Sequence, residues 1–271
     1  MRQQRLLFLA ALPALLVFVC FWLLPVSRLV LVGASGPEGV QAYFAILTND
    51  IYRNSLINTV MLSAASSFVS VVIAAVVGVY LQRREFRGKR VVVSLLTFPL
   101  AFPGVVIGFL VILLAGRQGL IGQVSEALGA GKIVFAYSLS GLFLGYLYFS
   151  IPRCVLTIMA AAEKLDPALE EAARSLGASP LQVVRDVIVP ALQPALVASS
   201  AICFATSMGA FGTAFTLATK INVLPITIYS EFTNYANFSL AAALSIVLGL
   251  ITWLALALAR SMAGSTVAAA A

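Results

Sequence analysis

The chain has no histidine among its 271 residues, three cysteines, and only 10% charged side chains. Without histidine it lacks the commonest general base and the commonest metal ligand. Cys20, Cys154 and Cys203 are far apart in apolar surroundings, with no partner evident, so they read as small core hydrophobes, and no metal site is expected. An enzyme would have to work through Ser, Thr and Tyr, and these occur at spacings that suit hydrogen bonds between helices. A phosphate-binding loop, G-x4-G-K-[ST], is also missing. The nearest lookalike, Gly131-Lys132, has Glu126 at the position of the first glycine and Ile133 after the lysine. Any ATP hydrolysis must therefore come from another chain.

What fills the sequence instead is apolar: 61% hydrophobic residues and a mean hydropathy of +1.04. Soluble domains carry about a quarter charged residues, so this composition belongs in lipid. Charge-free stretches run over 6–27, 54–82, 91–116, 133–152, 187–219 and 232–259. Each reaches the roughly 20 residues that cross a hydrocarbon core as a helix. The expected fold is all-α, with six transmembrane helices. None of these stretches holds a charge, which disfavours an ion-driven carrier or channel as the alternative, because intramembrane charges mark ion routes.

Orientation follows from the basic residues. With the N-terminus in the cytoplasm, twelve of the 17 Lys and Arg fall inside: Arg2, Arg5, Arg83, Arg84, Arg87, Lys89, Arg90, Arg153, Lys164, Arg174, Arg185 and Arg260. Arg28, Arg53, Arg117, Lys132 and Lys220 fall outside. Both termini are expected to be cytoplasmic, and the net charge of +7 reflects topology rather than nucleic-acid binding. The first apolar run is too long for a cleaved signal peptide and reads as an uncleaved helix.

The helices are expected at about Leu6–Ser27, Asn58 to just before Arg83, Val91–Gly116, Ile133–Ile158, Ala195–Ala218 and Leu240–Ala259. Pro99, Pro103 and Gly104 should kink or break the third, which a membrane tolerates only against protein or a wet cavity. Gly104/Gly108 and Gly141/Gly145 have the small-xxx-small spacing of close helix packing. The Ala-rich tail reads as a frayed end.

One polar stretch stands apart, Asp166–Pro194. Asp166 suits a helix N-cap and Pro167 the first turn. Leu169, Ala172, Ala173 and Leu176 form a narrow apolar stripe. Gly177 supplies a stop, and Ser179 with Gln182 is spaced as a capping box opening a second short helix. An apolar face held in water beside a membrane suits docking.

Glu171-Ala172-Ala173, three residues, Gly177, nine residues and Val187-Ile188-Val189-Pro190 resemble the EAA signature of type I ABC importer permeases, E-A-A-x3-G-x9-I-x-L-P. Asn58-Thr59 and Pro152-Arg153 add to the resemblance, which covers roughly 54–258. It implies a first helix and outer segment (1–53), a permease domain (54–260) with a coupling hairpin (163–190), and a tail (261–271). It also implies a bacterial inner membrane, a second permease subunit, identical or not, ABC ATPase subunits that use ATP and Mg, and a periplasmic solute-binding protein. By the resemblance Glu170, Glu171, Ala172, Ala173, Arg174, Leu176, Gly177, Ala178, Ser179 and Pro180 couple to the ATPase, and the chain itself binds no cofactor.

The expected solute path runs along Pro99, Pro103, Gly104, Ser207, Phe211, Gly212 and Thr213, where freed backbone groups, small residues and a bulky ring coincide. Phe211 is a candidate gate, and no charged solute ligand is expected from this subunit. Ser207–Thr213 looks like a segment that in sulfate and molybdate permeases reads with Glu before Phe-Gly; here Ala210 stands there. The Gly-Ala-Phe-Gly form is similar to permeases for polyamines, ferric iron and phosphonates; a polyamine is the favoured solute, with a ferric iron, phosphonate or sulfate/molybdate-type permease as the alternative.

Overall fold

The computed structural model describes residues 11–217 and 221–263. Expectations that fall on Leu6, Arg2, Arg5, Ala218, Lys220 and most of the Ala-rich tail lie outside the described residues. Helices are the only regular elements among those described, as lipid requires of a chain that must satisfy its backbone within each segment. Six are long and apolar enough to cross a membrane.

We number the helices in chain order: α1 Ala11–Ala34, α2 Gly39–Thr48, α3 Asp50–Arg83, α4 Lys89–Thr97, α5 Gly104–Ala115, α6 Leu120–Ala127, α7 Leu139–Glu163, α8 Pro167–Ser175, α9 Pro180–Met208, α10 Phe211–Leu217, α11 Leu224–Thr233 and α12 Phe238–Ala263. The chain divides into two compact units, one of the residues up to Asn54 with Thr227–Leu250, the other of Ser55–Ile226 with the residues from Ile251.

In the first unit α1 is exposed along almost its whole length, with Phe21 79% accessible, as suits a helix against lipid. Its end is tied down by polar contacts. Tyr43 Oη donates to Val30 O (2.6 Å), and Ser239 Oγ donates to Gly33 O (3.0 Å) and accepts from Gly36 N (3.1 Å). Elsewhere in this unit Tyr52 Oη, on α3, donates to Glu231 of α11 (2.9 Å).

The second unit has two hydrophobic clusters along α7. Leu142 and Tyr146 pack with Val111, Ala115, Ala214 and Leu217. Cys154, Val155, Ile158 and Ala162 pack with Ala74, Leu81, Val183, Leu192 and Cys203. The cysteines are thus not solitary: the Cys154 and Cys203 sulfurs lie 3.0 Å apart, both buried. Forty-nine residues of sequence separation hide that pairing, because it depends on how α7 meets α9.

Several helix limits depart from expectation, mostly because helices outrun the apolar run they contain. α7 starts at Leu139, not Ile133, and runs past the expected Ile158 to Glu163, with Arg153 inside it. α9 begins at Pro180 and passes Pro190 and Pro194 without a break. A π-turn over Val184–Ile188 precedes Pro190, resetting the hydrogen-bond register where proline has no N–H to give. The second helix of the hairpin is therefore the first turns of α9, not a separate short helix. The expected fifth span is also interrupted, at Gly209-Ala210, before α10.

Candidate functional site

The third apolar stretch breaks where its prolines stand. After α4 comes a 3-10 turn over Phe98–Ala101, then extended Phe102 and Pro103, the latter capping α5. A second break separates α9 from α10, where Ala210 N donates to Ser207 O (3.2 Å) and Phe211 N to Gly209 O (2.8 Å). The buried Tyr146 hydroxyl reaches Ala210 O at 3.5 Å. Freed backbone groups are thus met by protein.

The two breaks lie side by side because α5 and α10 touch backbone to backbone. A methyl group on Gly104 would sit 3.1 Å from Thr213 N, and one on Gly212 3.1 Å from Val105 N. Thr213 Oγ1 donates to Gly104 O (3.0 Å), and Thr216 Oγ1 to Gly212 O (3.0 Å) and Val105 O (3.3 Å). Gly108 faces the Thr216 side chain and Gly145 that of Thr213, so three of these four glycines do serve close helix approach; Gly141 fits against the Phe135–Ala136 backbone instead.

Between the breaks and α7 lies a cavity of about 370 Å³. Of the expected path residues, Pro99, Gly104, Phe211, Gly212 and Thr213 line it; Pro103 and Ser207 do not. Ser207 is fully buried and within 3.4 Å of the Ser66 hydroxyl. Phe102, Phe149 and Arg153 also line the cavity, and sequence reasoning did not place them there. The expected Ile133–Ile158 helix already ran through Arg153, but the residue was counted only among the cytoplasmic charges. The usable signal was the Phe149–Arg153 separation of four, one face of a continuing helix. Arg153 lies ten residues before the end of α7, about 15 Å at 1.5 Å per residue.

At the other end, α7 leads into α8 through Lys164–Asp166. The Asp166 side chain accepts from Ala168 N (2.9 Å). Gly177 has φ +86°, and Ser179 with Gln182 forms both halves of the capping box. The stripe does not present a single face. Leu169, Ala172 and Leu176 point outward, Leu176 being 90% exposed, whereas Ala173 and Ala178 pack against the second cluster. Glu170, expected at a docking surface, turns inward: Arg83 Nη2 lies 2.6 Å from its carboxylate, and Arg83 also donates to Leu165 O (3.3 Å). Arg174, largely exposed, is 3.7 Å from the same carboxylate. Glu171, Gly177, Ser179 and Pro180 are exposed.

Residues 70–265 match the model of the binding-protein-dependent transport system inner membrane component. The chain is 32% identical over 235 residues to a probable molybdenum ABC transporter permease protein of Haloferax volcanii, covering 87% of this chain and 82% of that one. It is 31% identical over 246 residues to a sulfate transport system permease protein of Salmonella typhimurium (89% and 87%). A proposed 2-aminoethylphosphonate transport system permease protein of Salmonella typhi is 28% identical over 253 residues (89% and 87%). A bacterial alginate ABC transporter, solved with an alginate-bound periplasmic protein, shares the fold at a TM-score of 0.81 and 17% identity, over 97% of this chain and 95% of that one. The chain belongs to the binding-protein-dependent transport system inner membrane component family. It is a multi-pass ABC importer permease, a transport subunit and not an enzyme.

These relatives fit the phosphonate or sulfate/molybdate-type alternative better than the favoured polyamine. They are named for molybdenum, sulfate and a phosphonate, not for polyamines. The polyamine preference leaned on Ala210 in place of Glu. Ala210 does line the cavity, but no acidic residue joins it there among the described residues and one arginine does, the wrong sign for a polycation.

Proposed function

We propose that this chain is the membrane subunit of an ATP-driven importer of small oxyanions. The observation that carries the substrate class is the charge of the cavity: Arg153 and no acid among its lining residues. The relatives named for molybdenum, sulfate and 2-aminoethylphosphonate support it. The solute path passes the two helix breaks, with Pro99, Gly104, Phe211, Gly212 and Thr213 on its wall and Phe211 as gate. Pro103 and Ser207 act from behind it, as a helix cap and a packing contact.

Coupling runs through α8 and the start of α9. Leu169, Ala172, Leu176 and Leu181 offer an exposed apolar surface to an ABC ATPase, which uses ATP and Mg. Gly177 makes the turn between the two helices, while Glu170 holds α8 to the end of α3. A second permease subunit completes the path, and a periplasmic protein delivers the solute, as the alginate transporter's periplasmic complex suggests. The termini and α8 are cytoplasmic, by the excess of basic residues on that side.

The test is purification with and without the ATPase subunit. The chain is expected to co-purify with it, to show no ATP turnover alone, and in the reconstituted importer to support ATP-dependent uptake of molybdate, sulfate or 2-aminoethylphosphonate. Turnover by the isolated chain, or uptake of spermidine and of no anion, overturns the reading.

A further inference from the structure

Arg153 is a charge within α7, ten residues before its end. Charged side chains within membrane-spanning helices ordinarily face a wet cavity or find a partner of opposite sign. Among the described residues, which include all ten acidic ones, none forms an ion pair with Arg153. Arg153 lines the cavity together with three aromatic residues, Phe102, Phe149 and Phe211. These are apolar walls that weaken screening and strengthen any ionic contact made inside.

A second element points the same way. α5 starts at the cavity wall with Gly104, and no side chain caps its N-terminus. The α5 dipole therefore puts partial positive charge on the same space as the guanidinium. The Thr213 hydroxyl already donates to Gly104 O (3.0 Å), so the uncommitted donor there is Arg153. A guanidinium presents paired N–H groups that match two oxygens of a tetrahedral oxyanion, and it is more weakly hydrated than an ammonium.

We propose that Arg153 and the N-terminus of α5 form a transient binding site for the transported oxyanion, and that Arg153 sets the charge selectivity of this subunit. The site rests on the oxyanion reading above. It stabilises the anion between the two helix breaks while the aromatic walls strip part of its hydration. A single guanidinium with no second charged ligand holds the ion weakly enough to release it.

The complete importer, with ATPase and binding protein, is reconstituted in proteoliposomes and offered molybdate, sulfate and 2-aminoethylphosphonate in turn, with spermidine as the cationic comparison. For the anion the wild type takes up, Arg153→Met is expected to lower uptake at least tenfold. It should lower ATP hydrolysis much less, so that ATP consumed per anion rises; a merely structural defect would lower both together. Arg153→Lys should recover part of the uptake, because it keeps the charge and loses the fork. Should Met prevent assembly, judged by the melting temperature, Arg153→Gln carries the same comparison. Wild-type anion uptake that persists unchanged in the Met or Gln variant overturns this site and leaves the oxyanion reading standing. Uptake of spermidine and of no anion overturns that reading, and the site with it.

Discussion

The two ends of α7 are packed in different ways. At the end that carries Leu142 and Tyr146, helices meet through glycines set against threonines: Gly145 against Thr213, Gly108 against Thr216, Gly104 against the Thr213 backbone. Threonine hydroxyls then donate across the same contacts. At the end that leads into α8, one glycine, Gly78, sits against Ile158 and the Val155 carbonyl, and the other contacts are mainly between aliphatic side chains and two thiols, Ile158, Val155, Cys154, Cys203 and Leu192. One ion pair, Arg83–Glu170, fastens α8 to α3. Glycine–threonine contacts tolerate little displacement, since the backbones already touch. Aliphatic side chains can re-pack. The cavity lies between these two kinds of packing, along the Phe149–Arg153 stretch of α7. A push on α8 is therefore expected to shift the second cluster against the first, changing the cavity walls.

The largest effect is expected at the glycine–threonine end. A Cβ at Gly145 would lie 2.7 Å from Thr213 Cγ2, so Gly145→Val must part α7 from α10. Overpacking of this kind costs about 1–3 kcal/mol. Melting in detergent should fall measurably, and uptake should be lost. A variant with wild-type melting and uptake would show that this end yields as readily as the other.

The second test concerns the strut. Arg83 and Glu170 are largely shielded, with side-chain exposures of 24% and 13%. Arg83→Glu or Glu170→Arg alone leaves like charges facing, and each is expected to destabilise α8 by about 1–3 kcal/mol. The double reversal should recover part of that loss, with a coupling of about 0.5–3 kcal/mol. Additive single effects, with no recovery, would mean that α8 is held by Ala173 and Ala178 alone.

Which of these features the sequence shows depends on how local they are. The Asp166 cap, the Ser179–Gln182 box, the Gly177 turn and the break at Pro99–Pro103 are each fixed within a few residues, and each stands where the spacing predicts. The six spans follow from hydropathy because lipid leaves the backbone so few options. Glu170 facing Arg83 and Cys154 meeting Cys203 depend on which helices become neighbours, and no periodicity encodes that. Arg153 belongs to a third group. The expected helix already ran through Pro152 and Arg153, but Arg153 was read as a cytoplasmic charge and not as a residue of the cavity wall. Solute preference was misjudged for a similar reason: one side chain, Ala210, was weighed without the guanidinium that shares its cavity.

Gly177→Val tests the turn itself. Open space surrounds the position, but φ is +86°, a conformation that a β-branched residue resists at a cost of about 1–2 kcal/mol. Because no neighbour is displaced, the spans should insert normally and melting should fall only slightly. Uptake should fail, since α8 would no longer keep its angle to α9. Normal uptake from a normally expressed Gly177→Val variant would detach this turn from coupling.

The smallest effect on stability, and the finest probe of the comparison, comes from single cysteines at Ser207, Phe211 and Thr213 in a background lacking Cys20, Cys154 and Cys203. Ser207 and Thr213 are buried, at 0% and 1% exposure, while Phe211 is half-buried on the cavity wall. A small water-soluble thiol reagent should therefore label Phe211→Cys first and leave the other two slow. If the second cluster moves against the first during turnover, ATP should change the Phe211→Cys rate. Thr213→Cys, held in the glycine–threonine packing, should stay protected throughout. Ser207→Cys sits on α9, whose far end carries the Ser179–Gln182 cap, and should gain some reactivity as that helix moves. Equal labelling of Ser207→Cys and Thr213→Cys in every state would mean that the helices on both sides of the break move as one body. The contrast between the two ends of α7 would then have no part in transport.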